Sequence, residues 1–279
     1  MTSKSTKWLC YTFPKGDYDS DILVALLSDI PCLGIDEQND AVLAYFNASD
    51  ETTIDSKTQE IIDYFPGRDL HWTKTWIENR EWHLKWQSWF KPIRISPTIA
   101  VYPYWENYTG PEPVKIAIMP GMAFGTGTHP TTQMALRLLE RFIQPKMKIL
   151  DAGCGSGILT VAALKIGAGH VDAWDIDPNI EDNFNKHMKQ NNITDRFTLS
   201  IGDVTRLNQY KYDLVLSNIE RKPNLALLDN MAKYGKIPLS IFTGILKDEY
   251  AMFKRKVLNY GLIFKAEMFL DEWAAMVAE

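Results

Sequence analysis

At 279 residues the chain is long for one small domain and comfortable for two. With 46% hydrophobic and 23% charged residues it can bury a core of normal size, which excludes a disordered or fibrous chain. The net charge of -5 argues against general binding to a phosphate backbone, so no direct nucleic-acid contact is expected. The three cysteines, Cys10, Cys32 and Cys154, form no C-x-x-C pair, and neither a disulfide scaffold nor a metal site is expected. Met1 to Phe13 lacks the basic flank and apolar run of a signal peptide, and no window reaches the ~18 apolar residues of a membrane span. A cytoplasmic protein, without membrane attachment and most simply monomeric, is the expectation.

Residues 1–70 read as a small α+β unit. Lys7 to Phe13 is an apolar, β-rich run, and Ile22, Leu23, Leu26, Leu27 and Ile30 recur at helical spacing. Val42 to Phe46 is a second strand, followed by a polar-faced helix carrying Ile54, Ile61 and Ile62. Residues 71–92 are rich in tryptophan. On a helical wheel Trp82, Trp86 and Trp89 fall within about 60°, with Trp76 nearby, which predicts a linker helix pinned by an aromatic face. Lys91 to Val101 suggests short strands punctuated by prolines.

Residues 93–279 form the larger unit. From about residue 146 apolar strands alternate with helices: strands at Lys148 to Ala152, Val171 to Ile176, Phe197 to Ile201, Leu214 to Ser217 and Pro238 to Thr243, helices at Ile158 to Ile166 and Pro178 to Gln190. That alternation predicts an α/β fold, a doubly wound, mostly parallel sheet covered on both faces. Leu262 to Met268 and Trp273 to Val277, joined by a short acidic turn, predict an antiparallel hairpin at the sheet's edge.

Three segments carry chemistry. Asp151-Ala152-Gly153-Cys154-Gly155-Ser156-Gly157 joins a strand to a helix, where a doubly wound sheet binds its ligand. Asp175 ends the next strand, placed to accept both hydroxyls of a ribose. The dinucleotide pattern G-x-G-x-x-G/A is broken at Ile158. The G-x-G-x-G actually present, with Gly153, Gly155 and Gly157 behind an acid, suits a ligand with a cationic amino group, and Asp151 would repel a pyrophosphate. S-adenosyl-L-methionine therefore fits better than NAD, and an idle glycine turn is the bland alternative. Gly202-Asp203 is a candidate adenine-side contact or an ordinary turn.

The second segment, Met119 to Thr132, is dense in glycine and hydroxyls but lacks the lysine of a P-loop. Pro130 there suits the first position of a helix, and His129 is either its cap or a candidate base. The third, Ser217-Asn218-Ile219-Glu220, ends a strand beside the glycine loop. Asn218 offers carbonyls to a substrate amine there, unless it merely turns the chain.

At these residues the sequence resembles the ribosomal protein L11 methyltransferase (PrmA-type) family. The resemblance rests on Phe124-Gly125-Thr126-Gly127-Thr128-His129-Pro130-Thr131-Thr132, on Asp151 to Gly157 with Ile158-Leu159, and on Asp175-Ile176-Asp177-Pro178. It continues through Asn218-Ile219, Gly244-Ile245-Leu246 and Trp273. It implies a class I methyltransferase domain behind a substrate-recognition domain and a linker. It further implies methyl transfer to lysine or N-terminal amines of a ribosomal large-subunit protein, with methyl-donor contacts at Thr132, Gly153, Asp175 and Asn218. The chain departs from the family at Glu220-Arg221-Lys222-Pro223, where small or apolar residues are usual. A small-molecule or nucleobase methyltransferase and a non-catalytic cofactor-binding scaffold stand as alternatives.

Overall fold

A computed structural model of the chain describes residues 7–16, 18, 20–28, 30, 32–38, 40–65, 70–78, 90–119 and 127–279. The chain divides into two compact units, 1–89 and 90–279.

In the first unit β1 (Lys7–Pro14), α1 (Ser20–Ser28), β2 (Gly34–Glu37), β3 (Ala41–Asn47), α2 (Glu51–Asp63) and β4 (Thr73–Glu78) build a four-stranded antiparallel sheet in the order β2-β3-β1-β4. Leu9, Tyr11 and Phe13 alternate along β1 and are fully buried with Leu23, Leu27, Val42 and Phe46. Thr73–Glu78 corrects the expected linker helix. Thr73, Thr75 and Ile77 give it a β-branched alternation, and it pairs with the side of β1 that β3 leaves open. Trp76 is therefore on a strand, half exposed, and not on a helical aromatic face. Trp82, Trp86 and Trp89 lie outside the described residues.

The second unit opens with a three-stranded sheet, β5 (Ile93–Arg94), β6 (Ile99–Pro103) and β7 (Val114–Ile118), of which β7 was not foreseen. There follow α3 (Pro130–Phe142), β8 (Lys148–Ala152), α4 (Ile158–Ile166), β9 (His170–Asp175), α5 (Glu181–Gln190), β10 (Phe197–Ile201), β11 (Leu214–Asn218), α6 (Arg221–Lys233), β12 (Leu239–Leu246), α7 (Lys247–Asn259), β13 (Phe264–Leu270) and β14 (Trp273–Ala278). Strands β8 to β14 form one seven-stranded sheet in the order β10-β9-β8-β11-β12-β14-β13. Strands β8 to β12 pair in parallel, and β14 runs antiparallel to both its neighbours, which is the expected hairpin.

Alternate residues of the central strands feed two cores. Ile149, Leu214, Leu216 and Ile241 pack with Met134, Leu138 and Leu139 of α3 and Val161 of α4. Leu150, Val215 and Phe242 pack on the other face with Leu227 and Met231 of α6 and Phe253 of α7. With both faces covered, the central strands reach water only at their ends, while the edge strands β10 and β13 are partly exposed along their length.

Two buried side chains, one in α5 and one at its C-terminal cap, tie the small sheet to this layer. Asn191, just past the helix, accepts the Ala117 N–H at 2.9 Å and donates to the Ala117 carbonyl at 2.7 Å and the His187 carbonyl at 2.9 Å. His187 lies within 2.6 Å of the Ser156 carbonyl through Nδ1 and accepts the Met119 N–H at Nε2 over 2.7 Å. Burial pushes the His187 imidazole below its ordinary pKa, which keeps it neutral and able to accept. Asn191→Ala leaves the N–H and C=O of Ala117 unsatisfied, so it should destabilise the protein by about 2–3 kcal/mol. Thermal unfolding of the variant checks this: an unchanged Tm would show that the bridge contributes nothing.

Candidate functional site

The sheet reverses its winding between β8 and β11, and at their carboxyl ends the chains diverge. A cavity of 510 Å³ opens there, a size that suits a drug-sized ligand. Its lining comes from the β8–β10 side of the sheet, with Gly153, Gly155, Trp174, Asp175 and Asp203, and from the β11–β14 side, with Asn218, Glu220, Pro223 and Trp273, the last in contact with His129.

The glycine loop follows β8. The N–H groups of Gly153 and Cys154 both donate to the Trp174 carbonyl, at 2.8 and 3.0 Å, which fixes the loop against β9. Gly153 has φ +73°, and a side chain there would run into Ile219; Gly244, at φ +78°, likewise leaves room only for the Ile219 carbonyl. The chain after β11 is thus seated between the glycine loop and a bulge in β12.

Asp175 is held from both sides. Its Oδ2 accepts the Gly155 N–H at 2.8 Å and its Oδ1 accepts the Asp177 N–H at 3.0 Å. Each oxygen keeps a further lone pair, so the carboxylate can still accept two hydroxyl donors from a ligand. Asn218 is equally fixed: Thr243 Oγ1 donates to its Oδ1 at 2.7 Å, and its Nδ2 donates to Thr132 Oγ1 at 3.4 Å.

The sequence candidates divide. Gly153, Gly155, Asp175, Asp203, Asn218 and His129 line the cavity together. Asp151, Gly157 and Thr132 do not. Thr132 is fully buried and stands behind Asn218. Gly157 turns the chain into α4 at φ +79°, with Phe184 where a side chain would go. Asp151, expected to face a cationic group directly, is wholly buried beneath the loop, where Thr160 donates to its Oδ2 at 2.6 Å. Asp203 caps its own turn, accepting the Thr205 N–H and hydroxyl at 3.0 and 2.6 Å. The Thr205 hydroxyl, with Arg206 alongside, holds that carboxyl below the usual range. His129 caps α3: its Nδ1 accepts the Thr131 N–H at 3.3 Å, and its ring meets Trp273 edge-on at 5.1 Å. In this role the Nδ1 of His129 is occupied as a helix cap, 2.7 Å from the Thr131 hydroxyl as well.

Sequence reasoning missed Asn224 and Thr243. Buried Asn224 donates to the Ile219 carbonyl at 2.7 Å and the Thr243 carbonyl at 2.9 Å, and accepts from Ser217 Oγ at 2.7 Å. It thereby joins the ends of β11 and β12 and fixes the backbone that carries Asn218. The only signal was a polar residue on the buried face of α6. Among the described residues no group of three or more His, Cys, Asp or Glu could hold a metal ion.

Burial, reinforced by Asp175 nearby, pushes the Asp151 carboxyl up to about 7, and its Oδ1 has no hydrogen-bond partner. Below pH ~4 this group is protonated in folded and unfolded chains alike. Between there and about 7 only the unfolded chain ionises, so stability falls as pH rises and the full penalty holds above that. Measured against Asp151→Asn, the wild type should therefore lose about 2–4 kcal/mol between pH 4 and 8. Denaturant melts of both proteins across that range test this, and parallel pH profiles would contradict it.

The family model described as ribosomal protein L11 methyltransferase (PrmA) matches residues 28–279. A ribosomal protein L11 methyltransferase of Bacillus cereus (strain Q1) is 32% identical over 248 residues, covering 85% of this chain and 79% of that one. One of Limosilactobacillus reuteri is 33% identical over 208 residues, covering 72% and 64%. Among solved structures, the ribosomal protein L11 methylase of Lactobacillus delbrueckii subsp. bulgaricus superposes with a TM-score of 0.62 at 27% identity, covering 68% of this chain and 98% of that one. With its glycine loop, strand-end aspartate and strand-end asparagine gathered at one cavity, the chain belongs to the ribosomal protein L11 methyltransferase (PrmA) family.

Proposed function

We propose that this protein transfers methyl groups from S-adenosyl-L-methionine to amines, lysine side-chain or N-terminal, of ribosomal protein L11. The observation that carries the reading is the juxtaposition, in one cavity, of Asp175 and Asn218 on strands either side of the switch point. The residues present fit this donor. Asp175 retains lone pairs for two ribose hydroxyls, and the glycine loop brings bare backbone to the cavity wall. Beneath that loop the unpartnered Oδ1 of Asp151 adds a buried acceptor for a cationic amino group to satisfy through the loop or a water.

The donor supplies a carbon activated by its sulfonium, open to in-line attack by nitrogen. The protein's part is positioning and exclusion of water. Asn218, held by Thr243 and Thr132, is assigned to orient an uncharged amine through its carbonyls. A lysine ammonium loses its proton near pH ~10.4 in water, so the site must select the neutral minority or lower that value by burial. With His129 committed to capping, the proton is assigned to water. The first unit, which contains residues 1–70, is assigned to recognition of the protein substrate, and the second to chemistry.

Incubation of the purified protein with methyl-labelled donor and L11 should label L11 at amines. Label appearing only in small molecules or nucleic acid would contradict the reading. Asp175→Ala removes two charge-assisted hydrogen bonds worth roughly 1.5–3 kcal/mol each, so donor affinity should fall at least ~10-fold by calorimetry. Asn218→Ala should lower kcat more than it weakens donor binding, and equal losses would make it a cofactor contact only.

A further inference from the structure

We propose that Glu220 is the specificity element of the acceptor end, drawing a cationic lysine or N-terminal ammonium to the cavity mouth. This rests on the amine-methylating function proposed above and extends it to a particular side chain.

Glu220 occupies the cap position of α6, a 13-residue helix, yet its carboxylate makes no capping hydrogen bond. It is exposed and lines the cavity two residues from Asn218. Its cationic neighbour does not neutralise it. The Arg221 guanidinium is turned to Glu249 of α7, with Nε 2.7 Å from Oε1, and both side chains are mostly buried. Lys222 is exposed and does not line the cavity. The other two carboxylates at the wall, Asp175 and Asp203, lie towards the glycine loop and are engaged by backbone N–H groups. Glu220 is thus the acceptor-end carboxylate with no side-chain partner among the described residues, in a wall it shares with apolar Pro223 and Trp273.

An anion at the mouth of a cleft with apolar walls raises the local concentration of cations and speeds their entry. It does not help the chemical step, since a carboxylate favours the ammonium over the neutral amine. The role is therefore capture at the rim. The ammonium meets Glu220 first, and the amine loses its proton to water before reaching the Asn218 carbonyls.

The test compares the wild type with Glu220→Gln, which keeps the shape and removes the charge, and Glu220→Lys, which reverses it. With L11 as substrate at low salt, Glu220→Gln should raise KM about three- to fivefold, Glu220→Lys more, the loss falling on KM rather than on kcat. The rise should shrink as salt is added, and calorimetric donor affinity should stay within about twofold. A second arm needs no turnover: n-butylammonium chloride is titrated by NMR into each protein saturated with S-adenosylhomocysteine. Weaker binding to Glu220→Gln than to wild type supports the proposal even if L11 is not labelled, a result that would sink only the assigned substrate. Equal KM at low salt, or equal n-butylammonium binding, overturns it.

Discussion

The interaction on which the site depends is the set of hydrogen bonds that closes the ends of β11 and β12. Where β11 stops beside the bulge in β12, carbonyls and N–H groups are left facing a cavity with few protein partners. Asn224 spans that gap, bonding Ser217, the Ile219 carbonyl and the Thr243 carbonyl from one side chain. Thr243 in turn fixes Asn218, and Ile219 is set between Gly153 and Gly244. Position, and not flexibility, is what this arrangement provides. For a reaction whose barrier is lowered mainly by orientation, an error of about 1 Å in Asn218 would be costly.

The same logic explains why the second unit presents its candidate ligand contacts at strand ends. Its central strands bury both faces in two apolar cores, so no functional group can be presented along their length. Strand-end positions remain, and Asp175 and Asn218 take them on β9 and β11, either side of β8. Asp151, one residue short of the end of β8, is sealed in and held near neutrality of its proton equilibrium by burial. It is a store of unsatisfied acceptor capacity below the loop.

Much of this was legible in the sequence because it was written locally. The alternation of strand and helix from Lys148 onward, the glycine loop, the strand-end acids and the terminal hairpin all declare themselves within a few residues. What escaped was long-range. Asn191 bridges to Ala117, 74 positions away, and no periodicity announces that pairing. Strand β7, five residues of mixed pattern, is specified by β6 and that bridge. Thr73–Glu78 was drawn into a helix by the tryptophans that follow, although the open edge of β1 determines its conformation. The family resemblance points to Thr132 and the charge of Asp151 points to a cationic ligand group, while the structure puts both behind the residues that face the cavity. A motif marks which residues are constrained without distinguishing contact from support.

The proposed function requires one cavity to hold the methyl donor with its ribose at Asp175 and its reactive end towards Asn218. A crystal structure of the protein with S-adenosylhomocysteine measures this directly. Both ribose hydroxyls are expected within hydrogen-bond distance of the Asp175 carboxylate, with the sulfur between the glycine loop and Asn218. A ligand bound elsewhere, or lying in this cavity with its ribose away from Asp175, would contradict it.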